Sequence, residues 1–431
     1  MFAFVLKAQE VEGQSNGSDK IEQLRESLND HSDRFKGLDE RLSEMSSDLD
    51  KLKSLSVSGY VQAQYETYDS WNASGSTHGI PASSGAPAIT NSFFLRRARV
   101  KFAYKAANGV EFVLCPNFDI DRVQIKDAYV QLHDRWLDVF TLTMGQFLRP
   151  TTYEIDYSSS SREFAERSLM SRVLYPSERE QGAKLEADLT SKYGIPLKLT
   201  AAVVNGNFGE GALTNQVKDV DGSKDFIGRA SYSLNLPKQG LGIDFGGHAY
   251  LGNNVVIDPT ATVFTDVNNN TFTPKVGDKL KKELFGAEAQ VYWDFLGGLS
   301  LKSEYIRGTY SGMSYASEVN GGFKGDRVRQ VQGAYVSLVK NVGEKNQFGL
   351  RWDMFDPNTN QSGDQVASSR ELKYNNYTFS YQYYFTGNVK IMACYLLPVN
   401  EKSSNVGLVG TDYANRDMKD NTFTLRLQAK F

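Results

Sequence analysis

The sequence predicts an all-β fold, a 16-stranded antiparallel transmembrane β-barrel, preceded by an α-helical coiled coil. Three patterns lead to this fold class. Residues 21–52 repeat apolar side chains at heptad spacing, whereas residues 55–431 break into short segments of alternating apolar and polar side chains. The connections between those segments alternate between short and long, as they do in barrels that cross a membrane. We therefore divide the chain into residues 1–8, 9–54 and 55–431.

The composition excludes several classes of protein. The 431 residues carry 48 Lys and Arg against 51 Asp and Glu, and a net charge of -3 gives no basic surface for nucleic acid. Two cysteines rule out a disulfide-dense scaffold, and no apolar run reaches the roughly 18 residues of a transmembrane helix. The aromatic share of 12% suits either a large soluble β protein or a membrane barrel.

Residues 1–8 are interpreted as a residual signal peptide. The apolar stretch from Phe2 to Leu6 is short for such a segment, and Ala8 precedes a plausible cleavage point. The alternative is a disordered N-terminus that happens to be apolar.

The heptad pattern predicts that residues 9–54 form a coiled coil and oligomerise. The one polar residue of the series is His31, which would fix the register of the helices if it were buried. The alternative is a partly hydrated histidine near a frayed end. The oligomerisation residues are Ile21, Leu24, Leu28, His31, Phe35, Leu38, Leu42, Met45, Leu49 and Leu52.

Sixteen candidate strands follow, from 56–68 to 420–431. If the first strand runs outward, the turns on the inner rim are short and most connections on the outer rim are long. A soluble β-sandwich has no reason to segregate its loops by length, whereas outer-membrane barrels do. The connection near Ile120 to Arg122 is an exception, because it is short on the outer rim.

The last strand shows the two faces that such a barrel requires. Phe423, Leu425 and Leu427 share one face, and Thr424 and Arg426 share the other. This parity predicts one face for lipid and one for water. The terminal Phe431 resembles the signal that the barrel-assembly machinery of the outer membrane recognises, so we expect this machinery to be a partner.

Sixteen strands close a barrel too wide for side chains to fill, so an aqueous channel is expected. The third outer loop, 148–178, is long and rich in charge, and its apolar spacing predicts a loop that folds inward and narrows the channel. The alternative is a solvated surface loop. The expected constriction residues are Arg149, Glu154, Arg162, Glu163, Glu166, Arg167 and Arg172, whose acidic members are expected to pair with the arginines of the same loop.

The second strand carries a basic ladder on its predicted inner face, with rungs about 6.6 Å apart. The ladder consists of Arg97, Arg99, Lys101 and Lys105, and the parity of Arg96 places that residue at the outer rim. Further inward candidates on other strands are Lys184, Arg229, Lys302, Arg351, Lys390, Arg426 and Lys430, opposed by Asp127, Glu186, Asp188, Glu288, Glu304 and Asp353. The excess of cations predicts weak selectivity for anions.

Four blocks of the chain resemble the phosphate-selective porin O and P family. They begin at Phe93, Met144, Phe164 and Arg179, and they read FFLRRARVK, MGQFLRP, FAERS and REQG. The resemblance covers roughly 55–431, and the chain is similar to members of Bacteroidetes type that carry an N-terminal coiled coil. It implies a homotrimeric outer-membrane porin with an inward third loop and a basic lumen that passes anions, phosphate among them. The coiled coil would then join the trimer on the periplasmic side.

These patterns predict a non-enzymatic channel in the bacterial outer membrane that uses no cofactor and no metal. The expected partners are outer-membrane lipid and lipopolysaccharide, together with small anionic or polar solutes. The alternative function is a structural tether or adhesion protein, in which the coiled coil links the barrel to the cell wall.

Overall fold

The computed structural model describes residues 17–69, 90–106, 109–118, 123–176, 178–206, 219, 221–255, 264–265, 270–273, 275–311, 328–366, 372–405, 415–417 and 420–431. The predicted signal peptide, 1–8, lies outside these residues, as does the short connection near Ile120. The chain forms two compact units, Met1–Leu55 and Ser56–Phe431.

The first unit is a single helix, α1, spanning Gly17–Ser54. The described apolar side chains of the heptad stripe are between 53% and 70% exposed and so are uncovered; they are Leu24, Leu28, Phe35, Leu38, Leu42, Met45 and Leu49. His31 is exposed too, and the side chains of Ile21 and Leu52 lie outside the described residues. None of the helices in the described part of the chain is long and apolar enough to cross a membrane.

The second unit is a closed antiparallel barrel of 16 strands, which confirms the predicted fold class. Each strand pairs with its neighbour in sequence, and the first strand closes the barrel against the last, where Tyr60 lies opposite Lys430. The strands are β1 Leu55–Tyr68, β2 Asn91–Ala106, β3 Val110–Phe118, β4 Val123–His133, β5 Phe140–Leu148, β6 Arg179–Asp188, β7 Leu197–Val204, β8 Asp225–Leu236, β9 Leu241–Val255, β10 Lys279–Trp293, β11 Leu299–Ser311, β12 Val328–Val342, β13 Asn346–Asp356, β14 Tyr374–Tyr384, β15 Val389–Asn400 and β16 Thr422–Lys430. A small hairpin, Phe264–Thr265 with Thr271–Phe272, lies between β9 and β10.

The two faces of the wall alternate as the sequence predicts. On β16, Leu427 is 51% exposed on the outer face, whereas Arg426 and Gln428 are buried on the inner face. On β14 the aromatic face is exposed in the same way, with Phe379 at 49%. Apolar side chains therefore cover the outside of the barrel and polar ones line much of the inside, the arrangement of a barrel surrounded by lipid.

The third outer loop, between β5 and β6, lies inside the barrel and packs against its inner wall. It contains two short helices, α2 Tyr153–Asp156 and α3 Leu169–Leu174. The apolar side of α3 meets apolar residues that β7–β14 turn inward, and together they form a buried core. Its largest members include Met170 and Leu174 of the loop with Tyr250 and Phe355 of the wall. The barrel is thus partly filled by its own loop.

A buried ion pair joins two strands beside this core. The Lys282 ammonium lies 2.6 Å from the Asp225 carboxylate, and neither side chain is exposed. Tyr250 donates a hydrogen bond of 2.5 Å to the same carboxylate, and Lys282 donates one of 2.8 Å to the Gly206 carbonyl. These bonds compensate both charges for the loss of water.

Replacing one partner of this pair should destabilise the barrel. Lys282→Met leaves the Asp225 carboxylate buried without a cation, which costs about 3–5 kcal/mol. The temperature at which the folded band converts to the unfolded band on a detergent gel should therefore fall. The control is Lys281→Met, since Lys281 is 56% exposed on the outer face and its pair with Glu283 contributes little. Equal midpoints for the two variants would contradict the prediction.

Candidate functional site

The third loop is attached to the wall through the first backbone N–H groups of its two helices. In α2, Tyr153 N donates to Glu288 at 2.7 Å and Glu154 N donates to Glu304 at 2.6 Å. In α3, Leu169 N donates to Asp353 at 3.0 Å. The first N–H groups of a helix have no partner within the helix, so the wall carboxylates satisfy them. These three acids, predicted to face the lumen, are buried beneath the loop.

The loop carboxylate Glu154 is held between the loop and the wall. It accepts a hydrogen bond from Ser168 N at 2.9 Å and lies 3.5 Å from the Arg351 guanidinium. Burial alone would raise the pKa of Glu154, but Arg351 and the hydrogen bonds from Ser168 outweigh it and lower this pKa. Arg351 also donates to the Glu166 carbonyl at 2.9 Å. The carboxylate therefore stays ionised inside the barrel.

A second loop carboxylate, Glu166, is surrounded by three arginines of the wall. Its oxygens lie 2.9 Å from Arg96, 3.1 Å from Arg97 and 2.8 Å from Arg426. Burial opposes ionisation of Glu166, yet these guanidinium groups hold its pKa well below the usual 4.5. This cluster fixes the middle of the loop to β2 and β16.

The position of Arg96 corrects the sequence analysis, which placed it at the outer rim. Phe93 and Leu95 are exposed on the outside near the start of β2, and Phe102 and Tyr104 are exposed near its end. The first pair is odd-numbered and the second even-numbered, so the alternation shifts by one residue between them. Because of this shift, adjacent arginines both reach Glu166 in the lumen.

The remaining cations predicted to face the lumen mostly hold the loop. Lys302 lies 2.6 Å from Glu163 and 4.2 Å from the centre of the Tyr157 ring. Lys390 donates to the Arg162 carbonyl at 3.1 Å. Arg229 contacts Asp156 of the loop and lies 2.6 Å from Glu288, whereas Lys184 pairs with Glu186 of the same strand at 2.5 Å.

The expected pairing of acids and arginines within the loop was wrong for the three acids considered. Glu154, Glu163 and Glu166 contact wall cations, whereas Arg162 and Arg167 contact Glu178, which precedes β6. Burial, with repulsion from Arg97, lowers the pKa of Arg162 to about 9. Glu178 was not among the residues predicted from the sequence. Its place beside Arg179, in a segment rich in arginine, was a usable signal that it pairs with arginines.

The other two residues predicted for the constriction, Arg149 and Arg172, lie at the start of the loop and on α3. Arg149 is fully buried at the start of the loop, where it donates to the Pro176 carbonyl and lies over the Tyr175 ring. Arg172 is half-buried on α3.

The basic ladder of β2 is divided by the loop. Arg97 is buried against Glu166, whereas Arg99 and Lys101 are half-buried and Lys105 is exposed. Arg99 donates to Asn117 at 3.3 Å and lies 5.5 Å from the centre of the Tyr60 ring. Among the residues that the structure describes, no carboxylate forms an ion pair with Arg99, Lys101 or Lys105. On the neighbouring wall, Arg179 is paired with Asp127 at 3.1 Å.

No potential metal centre is present in the described ranges, where no three His, Cys, Asp or Glu side chains could hold an ion. Cys115 and Cys394 are both free and buried.

Removing the Glu166 charge should loosen the loop. Glu166→Gln leaves three arginines without their shared carboxylate, so we expect faster tryptic cleavage after Arg162 or Arg167 and a larger, noisier single-channel conductance. Glu344→Gln, in an exposed turn, is the matched control.

Because the pKa of Glu166 is depressed, the contribution of its carboxylate to holding the loop is present above about pH 4.5 and is lost only as the pH falls through the lower pKa of the folded protein. Wild-type protein should therefore keep its cleavage pattern at pH 5, and cleavage equal to that of Glu166→Gln would contradict this.

Comparisons with known proteins bear on the fold. No family model matches the chain, and no curated protein matches it. Solved structures of outer-membrane proteins do match. OprB of Pseudomonas putida is 12% identical with a TM-score of 0.56, and the match covers 90% of this chain and 96% of that one. An anion-selective porin of Comamonas acidovorans is 11% identical with a TM-score of 0.53, over 88% and 99% of the two chains.

A trimer form of OmpT, an outer-membrane protein of Vibrio cholerae, is 10% identical with a TM-score of 0.50, over 88% of this chain and 99% of that one. At such identities the likeness establishes the fold, and this chain has the 16-stranded β-barrel fold of outer-membrane porins.

Proposed function

We propose that the protein is an outer-membrane porin, a water-filled channel for passive diffusion of small hydrophilic solutes with a weak preference for anions. One observation carries the proposal. The lumen acids Glu288, Glu304 and Asp353 are buried beneath the third loop, where each accepts a backbone N–H bond from it. Among the described residues, by contrast, Arg99 and Lys101 form no ion pair with an acid.

The electrostatic consequence follows from what each charge contacts. An acid that accepts a backbone N–H beneath the loop attracts passing cations weakly, because it is buried away from the water of the channel. A half-exposed arginine or lysine on the wall keeps its field in the water of the channel. The passage is therefore expected to run beside Arg99 and Lys101 of β2, past the cluster in which Arg96 and Arg97 bind the loop.

Phosphate selectivity is the narrower candidate, supported by the resemblance of four sequence blocks to the phosphate-selective family. Two contacts weigh against it. The paired arginines Arg96 and Arg97 are bound to Glu166, and Arg179 is bound to Asp127. A general preference for anions agrees better with arginines that already hold carboxylates.

The selectivity should depend on the ladder. A unit charge about 6 Å from a passing ion in water contributes about 0.7 kcal/mol, or about threefold in local anion concentration. Arg99→Gln with Lys101→Gln should therefore move the reversal potential under a potassium chloride gradient toward cation preference, most strongly at low salt. Lys238→Gln, in an exposed turn, is the control. An unchanged reversal potential would remove the ladder from the mechanism, and phosphate block of wild-type current would support the narrower candidate.

We also propose that residues 9–54 form a periplasmic coiled coil that holds a homotrimer together. The support is the uncovered apolar stripe of α1, which a single chain cannot bury. The alternative function, a tether to the cell wall, would use the same helix, whose 38 residues extend about 57 Å. Interaction of Phe431 with the assembly machinery stays a prediction; its side chain is 67% exposed and its backbone N–H donates to Gly59 at 2.9 Å.

The stripe can be tested separately from the barrel. Leu42→Asp places a charge where helices are expected to meet and should abolish the cross-linked trimer or lower its melting temperature, since each buried leucine contributes about 1.5–3 kcal/mol. Ser43→Asp, the adjacent exposed residue off the stripe, is the control and should leave the trimer intact. A trimer equally stable in both variants would exclude the coiled coil as the assembly element.

A further inference from the structure

The outer face of β10 shows where the lipid-facing band ends. From Trp293, 45% exposed, to Phe285, 49% exposed, every outward residue is apolar. This length is about 26 Å along the strand and about 20 Å along the membrane normal at the usual tilt, close to the height of a barrel's apolar band. Trp293 precedes a short turn, so it marks the periplasmic boundary and Phe285 marks the extracellular one.

Three cations lie on the outer face at or beyond this extracellular boundary. Lys279 and Lys281 follow on β10, and Arg307 of β11 lies directly opposite Phe285. All three side chains are exposed. We call these three residues the outer-rim patch.

The charges of the outer-rim patch are incompletely neutralised. Lys281 forms an ion pair of 2.8 Å with Glu283. In the described ranges, the side chains of Lys279 and Arg307 have no hydrogen-bond or ion-pair partner. The outward neighbours of Arg307 on β12 are neutral; Gln332 lies opposite it, and Gln330 donates to Thr309 at 2.7 Å. The patch therefore has an excess of positive charge that faces outward.

Position on the lipid face limits what can bind there. An arginine facing lipid costs about 2–4 kcal/mol at the midplane of the bilayer but about 0–1 kcal/mol near the interface, so Arg307 belongs at the headgroup level. At that level an unpaired guanidinium finds phosphate oxygens, whose geometry it matches with two parallel hydrogen bonds. A solute in the channel cannot reach this surface, because the patch lies on the outside of the wall.

We propose that the outer-rim patch binds the phosphate groups of lipopolysaccharide in the outer leaflet, with Arg307 as the principal contact. The ligand is the phosphorylated glycolipid because the patch lies at the extracellular boundary of the lipid-facing band, where that lipid forms the leaflet. Glu283 neutralises part of the charge of Lys281, and Lys279 and Arg307 have no acidic partner among the residues that the structure describes. This site is separate from the channel and does not depend on its selectivity.

The test is lipopolysaccharide retention by full-length protein folded in detergent, measured by native mass spectrometry. Lys279→Gln with Arg307→Gln should weaken binding of purified lipopolysaccharide by about fivefold for each cation removed, and single-channel conductance should stay unchanged. Lys238→Gln removes one positive charge from an exposed turn on the opposite rim and is the control for the loss of charge from each substitution.

The outcomes separate the possible sources of phosphate. Loss of lipopolysaccharide with unchanged binding of phosphatidylglycerol vesicles supports the proposal. Equal loss of both lipids would replace it with a general anionic-lipid surface, and displacement of lipopolysaccharide by millimolar inorganic phosphate would show a free-anion site; either result overturns it. Retention equal to that of Lys238→Gln also overturns it. Unchanged conductance with lost retention would leave the porin function standing.

Discussion

The docking of the third loop onto the inner wall is the interaction on which the rest of the barrel interior depends. It combines two kinds of contact, backbone N–H groups donated to Glu288, Glu304 and Asp353, and the carboxylate of Glu166 held by wall arginines. The contacts of Glu166 are charge-assisted, and both kinds of contact lie in a region with little water, where hydrogen bonds are strong and an unpaired partner is costly. The loop is consequently a fixed part of the wall.

This docking also sets the charge of the lumen. The inward positions predicted from the sequence hold more cations than acids, but contact geometry removes many of both from the water of the channel. Lys302, Lys390 and Arg426 are used to hold the loop, as are the acids beneath it. Arg99, Lys101 and Lys105 of β2 are only partly buried or exposed, so these few residues are expected to influence selectivity although charge is abundant.

The barrel also departs from a simple division into an apolar outside and a polar inside. Inward positions on β7–β14 include apolar side chains such as Tyr250, Leu284 and Phe355, because α3 packs against them. The outer face departs in the opposite sense near the extracellular rim, where strands longer than the apolar band carry Lys281 and Arg307 outward. The inward apolar residues follow from the loop that packs on them, and the outward cations follow from the end of the apolar band.

The sequence by itself determined the number of strands, most of their boundaries within a few residues, the facing of β14 and β16, and the helical nature of 17–54. These properties follow from local rules, since side chains alternate along a strand and recur every 3.6 residues along a helix. The tertiary structure alone decided which charges meet, because Glu166 and Arg426 are brought together by barrel closure across most of the chain. It also decided that the side chain of Arg96 faces the lumen. A one-residue shift within a strand reverses which side chains face inward, and the adjacent Arg96 and Arg97 show no alternation from which that shift could be predicted.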